Sequence, residues 1–284
     1  MTSEGVLDSH HHVWDTNRLH YNLFEEVTAL KRPYRADAFE AAVSPLGIRR
    51  SICVEAASAG TNGQRETDWL LRHIEESTRI AALVAWAPLD RPDVDAYLDW
   101  LLTRRSEKPI VGVRRSFELE DPEYPRRSAV AAGAQAAGAR GLVVDLVLFP
   151  RSLSATIALV DRCPDTQFVL DHLGKPPIRA RECQPWADEI GELARRPNVA
   201  CKLSGLPNEA DRDDWTTADV RPYVEHGIAA FGCDRILYGS DWPVVNLAGG
   251  VERWFRAVGE LLEGLSAAER RAILGENAAR IYRV

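Results

Sequence analysis

Eight short apolar runs recur along this 284-residue chain, with helical periodicity in the intervals between them. They are residues 6–12, 51–56, 80–86, 110–114, 142–147, 168–172, 199–203 and 235–241. Near-continuous apolar strands of this kind belong to sheets covered by helices on both faces. Helical stretches at 36–43, 66–73, 94–102 and 128–139 provide crossovers. Eight such alternations predict an α/β fold of the closed (β/α)8 TIM barrel kind, and the length suits it. Past the last strand, Val251, Trp254, Phe255, Val258, Leu261 and Leu262 share a helical stripe that would cover the barrel. Ser266-Ala267-Ala268-Glu269 then reads as a capping box opening a C-terminal helical extension towards Tyr282. No composition shift, linker or repeat marks a second unit, so residues 1–284 are expected to form one domain. The longest irregular piece, from Asp15 to Arg35, is expected to be a loop following the first strand.

Charge narrows the partners. A net charge of -7 argues against nucleic acid or an anionic membrane as the main partner. No apolar run is long enough to span a bilayer, and no leader-like segment opens the chain. The five cysteines are scattered and form no Cys-x-x-Cys pair, as expected of reduced thiols in a cytoplasmic protein. The expected partner is a small molecule, and the expected assembly a monomer or homodimer.

The first strand carries the chemistry furthest. Val6-Leu7-Asp8-Ser9-His10-His11-His12-Val13-Trp14 begins apolar and then delivers imidazoles at two-residue spacing. Alternate side chains of a strand share a face, so His10 and His12 project together and His11 points away. Two imidazoles on a stiff backbone suit a divalent cation such as zinc. A purification tag explains the triplet poorly, since the run continues into Val13-Trp14.

In (β/α)8 barrels, sites lie at the carboxyl ends of the strands. The polar residues found there are His10, His12, Glu55, Arg114, His172, Lys202, Ser204 and Asp241. His10, His12, His172 and Asp241 make either a mononuclear metal site or a hydrogen-bonding cluster of the same shape. Polar strand ends that merely meet solvent account for Lys202, Ser204 and Glu55 more easily than for those four.

Asp8-Ser9-His10-His11-His12-Val13-Trp14 resembles the D-x-H-x-H-x-W opening of the amidohydrolase superfamily, in its amidohydrolase-2 branch. Further matches are Gly112-Val113-Arg114, Asp171-His172-Leu173-Gly174-Lys175-Pro176, Cys201-Lys202-Leu203-Ser204-Gly205-Leu206 and Gly239-Ser240-Asp241-Trp242-Pro243. Over nearly the whole chain the pattern is similar to the L-fucono- and L-rhamnono-lactonase group. That resemblance implies a (β/α)8 barrel, hydrolysis, and one weakly held metal or none. The family usually has His where Arg115 stands and Gln shortly beyond, near Glu118, and often Gln at Glu55. The resemblance puts these positions among substrate contacts.

The expected reaction is opening of a lactone to its hydroxy acid. Asp241 would be the general base, and His10, His12 and His172, with or without zinc, would polarise the carbonyl. Asp241 has a bland alternative as the cap of the turn before Trp242-Pro243. Arg114 would bind substrate or close the barrel top by pairing with Glu55. Trp14 and Trp242 would wall a sugar ring or pack under loops, and Lys202 would be a structural or substrate contact. Arg115 would tune specificity, Asp8 would hydrogen-bond behind the site, and His11 would pack outward. Alternative readings are a lactonase for an anionic non-sugar ring, a metal-dependent decarboxylase of an aromatic acid, and a ligand-binding barrel without turnover.

Overall fold

The computed structural model describes residues 5–21, 27–56, 63–104 and 106–284. Its eight strands are β1 (Val6–His11), β2 (Ile48–Val54), β3 (Ile80–Trp86), β4 (Ile110–Ser116), β5 (Val143–Val147), β6 (Phe168–Leu170), β7 (Val199–Leu203) and β8 (Ile236–Tyr238). All neighbouring pairs are parallel and lie in sequence order. The helices α1 (Ala36–Val43), α2 (Gly63–Ile74), α3 (Val94–Leu102), α4 (Ser128–Ala139), α5 (Leu153–Asp161) and α6 (Trp186–Leu193) follow the first six strands. The short α7 (Leu206–Glu209) and the longer α8 (Thr217–Phe231) follow β7, and α9 (Gly250–Leu261) follows β8. This is the (β/α)8 barrel that the alternation predicts.

Two strands, β6 and β8, fall short of their apolar runs by two residues or more. β6 stops at Leu170 because His172 and Leu173 enter the left-handed region, with φ 57° and 51°. β8 stops at Tyr238, and the seam to β1 is closed by the residues after it. There Asp241 N donates to His10 O at 2.8 Å and His12 N to Trp242 O at 2.7 Å. Side chains complete the seam. Ser9 Oγ donates to Tyr238 O at 2.7 Å, and Asp8 Oδ1 accepts from Ser240 N at 2.9 Å. Asp8 is fully enclosed, and burial pushes its carboxyl up to about 6 despite those hydrogen bonds.

The α9 stripe of Val251, Trp254, Phe255, Val258 and Leu261 is buried as its spacing predicts. Full burial of side chains this size contributes about 1.5–3 kcal/mol apiece. The capping box is also formed, with Ser266 N donating to Glu269 Oε2 at 2.8 Å and Glu269 N to Ser266 Oγ at 3.3 Å. It opens α10 (Ala267–Arg271), which widens into a π turn at Ala272–Glu276 and continues as α11 (Asn277–Tyr282). The π turn brings the chain against β1, where a Cβ on Gly275 would lie 3.2 Å from Leu7 N. Inward residues Leu7, Ile52, Val54, Val84, Val143, Val169, Ala200 and Leu237 form one cluster with Ala278, Ile281 and Tyr282. The last helix therefore plugs the amino-terminal mouth of the barrel, leaving the carboxyl-terminal mouth for a site.

The segment after β1 has some structure of its own. Trp14 and Tyr34 form an antiparallel bridge, Arg35 pairs with Asp15 at 2.5 Å, and Thr28–Leu30 make a 3-10 turn. Positions 22–26 of this expected loop lie outside the described residues. Among the described residues no helix is long and apolar enough to cross a membrane. All five cysteines are free. Burial pushes the Cys53 and Cys201 thiols far up, which leaves them unreactive.

Candidate active site

His10 and His12 share a face of β1, and their Nε2 atoms lie 3.2 Å apart. His12 Nδ1 sits 2.9 Å from Val54 O, which only accepts, so Nδ1 carries the hydrogen and Nε2 keeps its lone pair. Both Nε2 atoms face the same space beside Asp241 Oδ1. His10 Nδ1 lies 3.1 Å from Lys202 Nζ and 3.3 Å from Asp171 Oδ1. His11 points to the other face, stacked on Phe39 of α1 with ring centroids 3.7 Å apart. Burial lowers the pKa of His10 far below its ordinary value, against the opposing charge of Asp171, so the ring is neutral.

Asp241 stands at the barrel seam with φ 56°. Its Oδ1 lies 3.8 Å from His10 Nε2 and 3.7 Å from His12 Nε2, and Oδ2 accepts from Asn208 Nδ2 at 3.3 Å. Burial raises its carboxyl pKa, but His172 and His12 outweigh that and leave it below the usual range. The carboxylate is therefore ionised at neutral pH. Turn capping falls to its neighbour, since Ser240 Oγ accepts from Trp242 N at 3.1 Å.

His172 is presented by the left-handed turn after β6. Its Nδ1 meets Ser204 Oγ at 2.9 Å, and its ring packs edge-on to His10 with centroids 4.6 Å apart. When Ser204 donates, Nε2 carries the hydrogen and becomes the free donor. Gly205 is required behind it, because a Cβ there would lie 2.5 Å from His172 Nδ1 and its own φ is +69°.

The donor atoms that fit a cation fall into two overlapping groups. His10, His12 and Asp241 form one; His10, Asp171 and His172 form the other. Within the second, Lys202 Nζ already lies 3.0 Å from Asp171 Oδ1, so a cation of the protein's own faces that carboxylate. The first group, with two imidazoles and a carboxylate, matches the donors that divalent metals such as zinc take.

Around these residues lies a buried charge network. Arg114 Nε donates to Glu55 Oε1 at 2.6 Å, its Nη2 to Glu55 O at 2.5 Å and its Nη1 to Asp171 Oδ2 at 3.2 Å. Lys202 Nζ donates to Asp145 Oδ2 at 2.5 Å, and Tyr282 Oη donates to Asp145 Oδ1 at 2.7 Å. Asp171 is held far below the usual carboxylate range, because Lys202, His10 and Arg114 overcome the burial penalty. Asp145 goes the other way; burial dominates and raises it to about 6.

The expected substrate contacts sit in different surroundings. Lys202 is 0% exposed and enclosed by two carboxylates and His10, so it supports the site from beneath. Arg114 and Glu55 are paired with each other, as in the alternative reading of that arginine. Trp14 is sealed against Tyr21 and Tyr34, and Trp242 against Tyr34 and Phe39, so both pack under loops. Strand alternation turns Arg115 away from Arg114; it pairs with Glu120 and lies over Tyr124. Glu118, by contrast, bonds Lys175 Nζ, which also lies 3.6 Å from Glu209 Oε1.

Four residues of the site escaped the sequence reading: Asp145, Asp171, Asn208 and Tyr282. A lone carboxylate inside Val143-Val144-Asp145-Leu146-Val147 was the one available signal for Asp145. Asp171 stood inside a recognised motif, whereas nothing local marks Asn208 or Tyr282.

The amidohydrolase family model matches residues 7–284. The chain belongs to the amidohydrolase family. Two curated L-fucono-1,5-lactonases are similar to this amidohydrolase. The one from Burkholderia multivorans is 33% identical over 97% of this chain and 95% of its own. The one from Burkholderia ambifaria is 31% identical over 98% and 95%. A solved amidohydrolase from Burkholderia multivorans with bound zinc superposes with a TM-score of 0.88, at 32% identity over 98% of this chain and 99% of that one. This amidohydrolase is accordingly an enzyme of the hydrolase class.

Proposed function

We propose that the enzyme hydrolyses a neutral sugar-type lactone to its hydroxy acid, with Asp241 as general base. The observation that carries this reading is an ionised, buried carboxylate 3.7–3.8 Å from two inward imidazole nitrogens. The names of its lactonase relatives support the same substrate class.

Asp241 takes a proton from the attacking water as the water oxygen bonds to the lactone carbonyl carbon. His172 Nε2–H donates to the oxyanion of the tetrahedral intermediate. Collapse breaks the bond from that carbon to the ring oxygen, and Asp241 returns its proton to the departing alkoxide. Asn208 holds the carboxylate through Oδ2 during both transfers. A divalent cation, which we assign as zinc, would be held by His10, His12 and Asp241 and would supply Lewis acidity at the carbonyl.

The charge balance at the mouth favours a neutral substrate. Arg114 and Arg115 are both engaged by carboxylates of the protein. Glu118 and Glu209 flank Lys175 beside them, and carboxylates are acceptors suited to sugar hydroxyls. We also place the enzyme in a reducing, cytoplasmic setting, where five free thiols persist. A pH-indicator assay over aldono-1,4- and 1,5-lactones and carboxylated lactones tests the substrate class. Acid release from neutral aldonolactones supports it; turnover of only the carboxylated rings overturns it.

A further inference from the structure

Lys202 is the inner end of a file of buried polar groups that begins at the C-terminus. Tyr282 Oη donates to Asp145 Oδ1 at 2.7 Å, Asp145 Oδ2 accepts from Lys202 Nζ at 2.5 Å, and Lys202 Nζ stands 3.1 Å from His10 Nδ1. Tyr282 is 2% exposed and the other three are 0% exposed. With solvent excluded, each group depends on its neighbour in the file for satisfaction.

Two groups of opposite kind meet His10 Nδ1 from behind. An ammonium only donates, so Lys202 bonds His10 Nδ1 when that atom carries its lone pair. Nε2, across the ring, faces His12 and Asp241. Asp171 Oδ1, 3.3 Å from the same Nδ1, offers the opposite partner, an acceptor. Which partner His10 takes depends on where the Lys202 ammonium is held, and Asp145 is the carboxylate nearest to it.

Packing alone does not call for a hydroxyl at position 282. Tyr282 sits in an apolar plug with Leu7, Val143, Ala278 and Ile281, where phenylalanine fills nearly the same volume. A phenol taken out of water costs free energy unless its hydroxyl is partnered, and here the partner is Asp145. We propose that Tyr282 is a positioning residue of the active site: through Asp145 it fixes the Lys202 ammonium, and through Lys202 it fixes the orientation of the His10 ring.

The test compares Tyr282→Phe with Ile281→Ala in the full chain. Ile281 lies on the same helix and in the same plug but outside the polar file. Two readouts are taken: the 15N resonances of His10, and kcat and KM for lactone opening. Tyr282→Phe is expected to shift the His10 Nδ1 and Nε2 resonances and to lower kcat about fivefold, as for one lost hydrogen bond. KM stays within about twofold because substrate contacts are untouched. Ile281→Ala is expected to lower the melting temperature while leaving the His10 resonances and kcat in place. Unmoved His10 resonances in Tyr282→Phe overturn the proposal, as does a kcat loss that follows melting temperature alike in both variants. The rate arm rests on the lactonase reading, whereas the resonance arm does not. A wild type without lactone turnover but with a Tyr282-dependent His10 shift contradicts the substrate assignment and supports the positioning role.

Discussion

His10 and His12 meet through their Nε2 atoms at 3.2 Å, and each ring is fixed from behind by a different kind of partner. A backbone carbonyl, Val54 O, holds His12, whereas a buried ammonium and a carboxylate hold His10. The strand supplies the spacing, and the partners behind it supply the ring orientations. That combination aims both inward nitrogens at Asp241 Oδ1.

Metal binding follows from this convergence. His12→Gln removes an inward lone pair and is expected to weaken zinc binding about 100-fold or more. Competition against a chromophoric chelator measures it. Unchanged affinity in this variant, with the wild type binding zinc, places the metal elsewhere.

Gly205→Ala puts a methyl group 2.5 Å from His172 Nδ1 at a residue whose φ is +69°. The left-handed backbone alone costs about 1–3 kcal/mol, and displacement of His172 adds to it. Urea unfolding is expected to show at least that loss together with reduced turnover. A midpoint within experimental error of wild type shows that the turn relaxes freely.

The architecture was legible in the sequence because buried parallel strands are written as apolar runs, whatever their loops do. The pairing of His10 and His12 was legible for the same reason, since strand alternation is local. Partners of the charged residues were not. Arg114 and Asp171 stand 57 positions apart, and Lys202 and His10 stand 192 apart, so only the barrel closure reveals that Lys202 is enclosed. Tyr282 was legible as a helix end, but not its reach to Asp145, which depends on the π turn that seats the last helix.

Acid stability is expected to depend on Glu118 and Lys175. Burial raises the Glu118 pKa, but Lys175 overcomes this and holds it below the ordinary carboxylate value. Burial lowers Lys175, but Glu118 and Glu209 overcome that and raise it. The Glu118 contribution is therefore present above its unfolded pKa, about 4.3, and is lost as pH falls through the lower folded value. The Lys175 contribution is present below its unfolded pKa, about 10.4, and is lost as pH rises through the higher folded value. Glu118→Gln should be less stable than wild type between about pH 5 and 10, with the gap closing in acid. Denaturant midpoints of both proteins across pH measure this, and a gap that widens in acid contradicts the pairing.

The central claim is that Asp241 activates water, and acid release by wild type and Asp241→Asn measures it most directly. The assay runs at neutral pH over aldonolactones, with zinc and with chelator in parallel. The account predicts turnover by the wild type and a loss of about 10²–10⁴-fold in kcat for the variant, with substrate still bound. Asp241→Asn turning over at the wild-type rate contradicts it and removes Asp241 from the chemistry.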